Sequence, residues 1–304
     1  DTEDFEDPVD TFFTETLAPL LIDWEVKKGG KGNEVIHKMI ETSNGKLVAV
    51  GETTSKTLGG KDGYLLIMET ASGTPLVTKN FGGTQDDVFT SVLEDKDGNL
   101  VIAGYTRSKG SGGADGWLVH VTDNGDLIEE PHTYGTEGQD EFHFLVQGSW
   151  LVAGMKNDRS EGDIWLASLN ENTLDENWEK LIGQNSLRDI TGLVKTESGL
   201  AMTGNALGSE RIWFARTDAA GNLLQGIQFY GGPGELLEAT DLIQTLDGGF
   251  AISGGIKNGG DNKRDMLLLK LSDQGERQWS KTYGGKADDV ANSLAQSTNG
   301  NFAL

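Results

Sequence analysis

Trp279-Ser280-Lys281-Thr282-Tyr283-Gly284-Gly285 decides the fold, because its first glycine marks a place to which the chain returns. Gly29, Gly82, Gly135, Gly183 and Gly231 hold the same place, most plainly in Phe81-Gly82-Gly83 and Tyr230-Gly231-Gly232. The six glycines span residues 29 to 284, a mean period of 51 residues. A repeat of that length points to a unit that stacks on copies of itself.

Working outward, each of these glycines is followed by a strand-like stretch and then by a second glycine: Gly45, Gly98, Gly148, Gly199, Gly248 or Gly300. Asn44-Gly45, Asp97-Gly98 and Asp247-Gly248 are pairs that suit the positive φ angles of a two-residue hairpin. A short apolar run follows and ends at Gly51, Gly104, Gly154, Gly204 or Gly254. After a variable loop comes a third strand, as in Tyr64-Leu65-Leu66, Trp117-Leu118-Val119 and Trp213-Phe214-Ala215. Asp-rich turns such as Asp123-Asn124-Gly125 lead to a fourth, which carries Trp24, Trp178 or Trp279 five residues before the next glycine.

Four antiparallel strands per unit predict an all-β chain, a β-propeller of four-stranded blades, since one blade cannot bury both of its faces alone. A solenoid is the competing arrangement. Residues 1–23 read as an acidic tether and lead-in, and residues 24–304 as the propeller. The sixth unit stops at Asn301-Phe302-Ala303-Leu304, inside its second strand, so the chain reads as incomplete at its C-terminus. Trp24 to Lys28 reads as a lone fourth strand that should pair with the last blade. Six blades are favoured, with seven or eight open.

Composition agrees. Glycine is abundant (43 residues), proline scarce (5) and apolar residues make up 36%, which suits many short strands joined by tight turns. A net charge of −23 repels nucleic acid and anionic membrane at long range. With no cysteine there is neither a disulfide framework nor a thiolate metal site. No apolar run reaches the roughly 20 residues of a membrane span.

The register assigns roles by comparison between sister units. His120 aligns with Ser168, Arg216 and Lys270 at the polar place of the third strand and is expected on a solvated face. His132 aligns with Lys79, Lys180 and Lys281 on the outermost strand, where charge discourages edge pairing. His37 aligns with Thr90, Thr191, Thr240 and Asn292 on the first strand, which should line a central channel. The next column holds Lys38, Ser91, Gly192, Asp241 and Ser293; with side chains alternating, one column only should face the channel. His143 falls in the most irregular unit and finds no place.

No catalytic triad, zinc motif or nucleotide loop is marked, and no cofactor is expected. The carboxylate pairs Asp86-Asp87, Asp140-Glu141 and Asp288-Asp289 recur after the glycine, which favours turn and strand-start capping over a glycosidase pair. Glu94 to Asn99 suggests calcium but lacks the full Asp-x-Asp-x-Asp-Gly loop with its distant Glu, and a hairpin explains the same residues.

Binding is expected on the loops joining second to third strands, which vary while the tight turns do not. Residues 53–61, 106–114, 155–162, 205–211 and 256–264 carry ten basic and four acidic side chains, +6 on an acidic protein. Arg107, Lys109, Arg159, Arg211, Lys263 and Arg264 are the candidate rim residues, with His37, Lys38 and Asp241 at the channel; no metal ligands are assigned.

The Trp279 to Gly285 motif followed by Asp288-Asp289, and Thr245-Leu246-Asp247-Gly248-Gly249-Phe250 up to Gly254, resemble the propeller repeats of secreted and cell-surface bacterial proteins, familiar from Bacteroidetes lipoproteins. Residues 24–304 carry the resemblance. It implies an exported binding or scaffold module, at the cell surface, outer membrane or outside the cell. Its partner would be a protein of a surface or outer-membrane complex, or an extracellular glycan. The acidic run Asp1 to Pro8 is similar to the tether behind a lipidated cysteine, so membrane contact would be through an N-terminal lipid alone. The alternative is a carbohydrate-active enzyme with its site at the channel mouth. Ser272-Asp273-Gln274-Gly275 misses the sialidase box spacing, and the quinoprotein repeat is longer than Asp273 to Trp279.

Overall fold

Strand side chains alternate between two faces, so a strand that is apolar at every position must be covered on both. Leu100–Thr106 and Asp115–Val121 are such strands, and the computed structural model, which describes residues 24–146, 151–157, 163–183, 186–257 and 263–304, shows what covers them. Leu100 and Ile102 pack toward Val50, Leu65 and Ile67 of the unit before, while Val101 and Ala103 pack toward Phe142, Val152 and Trp165 of the unit after. Apolar cores therefore lie between sheets. Removing both faces from water supplies most of the favourable free energy here, about 25 cal/mol per Å² buried.

Among the described residues, five four-stranded antiparallel sheets follow one another in chain order, each with its strands in sequence order. Blade one is Glu34–Glu41, Lys46–Thr53, Asp62–Glu69 and Pro75–Phe81. The first strands of the next four are Asp87–Glu94, Gln139–Val146, Gly192–Lys195 and Leu236–Gln244. A two-stranded sheet, Ala295–Gln296 with Phe302–Ala303, begins a sixth unit. Residues 1–23 and Arg159 lie outside the described residues.

The carboxylate pairs cap strand starts, as expected, and they also tie blades together. Asp86 accepts from the Lys61 amide of blade one at 2.9 Å, and Asp288 accepts from the Arg264 amide at 2.9 Å. Asp87 and Asp289 accept from Gly83 and Gly285 at 2.8 and 2.9 Å. In blade three the register differs by one residue from the sequence reading. Asp140 is the cap, accepting from the Thr136 amide, so Glu141 lies one place further on and is free of that duty.

The glycine of the turn between third and fourth strands packs on the fourth strand of the preceding blade: Gly125 on Val77 and Lys79, Gly221 on Trp178 and Lys180, Gly275 on Gln228. In blade one the corresponding Gly73 meets Trp24 and Val26, and the Trp24 indole donates to the Thr70 carbonyl at 3.1 Å. Trp24 to Val26 thus occupies the place of a preceding fourth strand. Among the described residues it pairs in no ladder. Trp24→Ala is expected to cost about 1–2 kcal/mol through lost packing and one hydrogen bond. An unmoved urea midpoint would show that the segment is not held at that place.

Candidate functional site

The first strands surround a channel of about 860 Å³, lined from blade one by His37 and Lys38, from blade two by Thr90 and Ser91, and from blade five by Asp241. In blades one and two both polar columns face it, contrary to the expectation that only one would. A β-bulge is the reason. Pairing with the second strand skips one residue between Ile36 and Lys38, between Phe89 and Ser91, and between Ala239 and Asp241. The extra residue breaks the alternation, so two consecutive side chains turn the same way. In blade three the skipped residue is His143, which is thereby placed: it is the counterpart of His37.

These columns serve first as ties between blades. Thr90 donates to the Phe142 carbonyl at 2.8 Å, and Thr240 to the Ala291 carbonyl. Ser91 and Asp241 accept from the Leu145 and Leu294 amides at 3.2 and 2.9 Å. Asp241 is thus committed to the frame, although it lines the channel as expected.

One sector of the mouth departs from this pattern. Glu52 of blade one lies 2.9 Å from Lys61 and 3.8 Å from His37. Glu141 of blade three lies 3.6 Å from Arg107 and 3.4 Å from His143. Tyr105 of blade two stands between them; burial, then the charges of Glu141 and Glu52, pushes its hydroxyl up to about 12. None of Glu52, Tyr105, Glu141 and His143 was assigned to the site from the sequence, where Glu141 read as a cap and His143 found no place. The column one residue beyond the strand-two glycine could have found two of them, since it reads Glu52, Tyr105, Met155, Asn205 and Gly255.

The rim loops touch the connections between blades, as Gly59 meets Thr84 and Gly113 meets Gly138, so they share a face with this cluster. Their basic excess is largely matched by carboxylates on strands that a loop count omits. Arg264 pairs with Glu238 at 2.8 Å, Lys156 with Glu179 at 2.6 Å and Lys61 with Glu52 at 2.9 Å. The Arg211 guanidinium lies over the Phe229 ring at 4.8 Å, Lys263 donates to the Lys286 carbonyl, and Lys109 is exposed.

With five blades in chain order, inter-sheet cores and a central channel, the architecture is settled. The chain is a β-propeller. No family model matches the sequence, and neither does any curated protein sequence. Among solved structures it is similar to the Dos1 propeller, with a TM-score of 0.53 and 12% identity over 92% of this chain and 68% of that one. It is similar also to hydrazine synthase of Kuenenia stuttgartiensis, with a TM-score of 0.51 and 10% identity over 82% and 68%. BamB from Moraxella catarrhalis matches with a TM-score of 0.46 and 12% identity over 85% of this chain and 64% of that one. These likenesses concern the fold.

The opposite face is built of turns whose side chains serve their own backbone. Asp95 accepts from the Asp97 and Asn99 amides, each at 2.8 Å, as the hairpin reading of Glu94 to Asn99 requires. Asp218 does the same for Ala220 and Asn222 at 2.9 and 2.8 Å. His120 is not solvated as expected: its side chain is 16% exposed, held between Asp95 at 3.0 Å and Glu129 at 3.1 Å. Its partners lie in its own blade, and Lys270 in the same column is likewise buried against Asp247 of its own blade. Burial pushes Asp95 up, but the bonds from His120 and the turn amides outweigh it and leave the carboxyl below its ordinary range. His132 stands on the outer strand, 3.5 Å from Glu129.

Proposed function

We propose that this propeller is a non-enzymatic binding and scaffold module, exported to the cell surface or outer membrane, that docks a protein partner across its loop face. The contrast between the faces carries this reading. On the turn face, polar side chains are spent on their own hairpins and on the turns of neighbouring blades, whereas on the loop face Arg107, Arg211 and Arg264 are held in place over a frame tied together blade by blade. Ordered cations on a rigid support lose little entropy on binding, which is how a partner is recognised at low cost. The resemblance to bacterial surface repeats supports export and attachment through an N-terminal lipid.

The test is native purification of the protein from its source membrane with cross-linking of whatever accompanies it. Replacing Arg107 and Arg264 together by serine is expected to lower partner capture about 10-fold, the ordinary loss for two contacts of moderate strength. Unchanged capture would remove the docking face, and release of reducing sugar from a glycan would overturn the non-enzymatic part.

A further inference from the structure

We infer that the channel mouth spanning blades one to three binds a neutral, hydroxyl-rich glycan. This deepens the proposed function and rests on its reading of the loop face as the binding face. The departure from repeat symmetry is the first support. At the bulge, threonine ties one blade to the next, as Thr90 does to the Phe142 carbonyl and Thr240 to the Ala291 carbonyl. His37 and His143 replace that threonine twice in one sector of the channel. What they receive in exchange, approaches of 3.8 and 3.4 Å to carboxylates without hydrogen-bond geometry, is a weak form of stabilisation. Places where a fold breaks its own rule without structural return are where function is expected.

The chemistry of the cluster selects the ligand. Glu52, Glu141 and Asp241 are offset by Lys61, Arg107 and Lys38, so the carboxylates and the lysine and arginine cations around the channel balance. A charged ligand meets no net field there and has to displace an existing partner. A sugar hydroxyl both donates and accepts, so it fits between carboxylate and cation and leaves each pair intact. His143 Nε2, shielded from solvent, has no hydrogen-bond partner among the described residues, since its approach to Glu141 is off hydrogen-bonding geometry. Tyr105, beneath Arg107 with the guanidinium 5.9 Å from its ring centre, adds an aromatic surface with a polar tip, the pairing suited to a sugar's C–H face and hydroxyl rim. At about 860 Å³ the cavity falls in the range of small-ligand clefts, about 300–1,000 Å³.

The experiment is calorimetric titration of the purified chain with a panel of neutral hexose oligosaccharides, with polygalacturonate as the charged comparison. Wild type should titrate with at least one neutral oligosaccharide, more tightly than with polygalacturonate. Glu141→Gln and Tyr105→Phe should each weaken it about 10-fold, while His132→Gln on the outer strand leaves it unchanged. Thermal unfolding confirms that each variant is folded, and Tyr105→Phe, which deletes one oxygen, keeps the test open if Glu141→Gln does not fold. No heat across the neutral panel, equal affinity in both variants, or preference for polygalacturonate would overturn the inference. Partner capture from the same preparations separates the two readings: capture without glycan binding sinks this inference alone, and glycan binding without capture sinks the docking reading alone.

Discussion

Replacing Gly104 by alanine is expected to destabilise the propeller by about 3 kcal/mol or more, the upper range for forcing extra volume into a packed site. A methyl group there would lie 1.9 Å from the Val88 carbonyl oxygen and 2.9 Å from the Phe89 Cα. Neither neighbour is the end of a flexible side chain. Both belong to the first strand beside its bulge, so relief requires straightening the backbone that turns Thr90 and Ser91 into the channel. Gly51, Gly154 and Gly254 make the same approach, at 1.8, 1.7 and 1.8 Å to Val35, Glu141 and Glu238 carbonyls. The strand-two glycine therefore fixes the bulge, and the bulge aims the site. Two controls separate this from a general intolerance of alanine. Gly248 has open space but a φ of 82°, so its alanine variant should lose about 1 kcal/mol. Gly226 has open space and no such φ, and its variant should stay within about 0.5 kcal/mol of wild type. Urea unfolding in the order Gly226, Gly248, Gly104 checks the argument; equal midpoints for Gly104→Ala and Gly226→Ala would refute it.

This glycine column was legible in the sequence as a period, but its cause was not. A bulge adds one residue to one strand and leaves the spacing between glycines unchanged, so nothing in the period announces it. Hence the sequence reading assigned one column to the channel where two enter it in blades one and two. The same one-residue ambiguity hid Glu141, because Asp140-Glu141 looks like Asp86-Asp87 until backbone amides show that Asp140 is the cap. His120 was misplaced for a different reason. Polarity in a strand suggests water, yet between two blades it signals a buried partner, here Asp95 and Glu129. The rim was legible as residues but not as charge, since the carboxylates that balance it, Glu52, Glu141 and Glu238, belong to strands rather than loops.

The interface between blades one and two should grow more stable as pH falls from about 6 toward 4, and Asp62 is the reason. Asp62 begins the third strand of blade one and is 4% exposed; Asp87 begins the first strand of blade two and is fully buried. One oxygen of each lies within 2.7 Å of the point where Gly82 would carry a Cβ, so two buried carboxylates face each other across a glycine. Asp87 spends its oxygens on the Gly83 amide, the Ser108 amide and hydroxyl, and the Thr106 hydroxyl. Asp62 Oδ1 has no partner among the described residues, and burial followed by the Asp87 charge raises its carboxyl from 3.8 to about 6. Above pH 6 the group is ionised both folded and unfolded, and folding bears the full cost of burying it. Between 6 and 3.8 the folded state takes up a proton that the unfolded state does not hold, so stability rises by up to about 3 kcal/mol. Asp115 faces Asp140 across Gly135 in the same way and is raised for the same reasons, adding a second step of the same sign. Asp247 opposes them at lower pH: hydrogen bonds from Thr245 and Lys270 hold it at about 2, so its contribution is lost between 3.8 and 2. Chemical unfolding across pH should therefore peak near 4–5. The two partners of the pair should respond oppositely to amidation. Asp62→Asn removes a buried charge and should stabilise the fold at pH 7.5 by about 1–3 kcal/mol while flattening the rise. Asp87→Asn leaves an NH₂ facing amide and hydroxyl donors and should destabilise at both pH values. Two variants that shift stability in the same direction at pH 7.5 would mean that the carboxylates do not share the interface in this way.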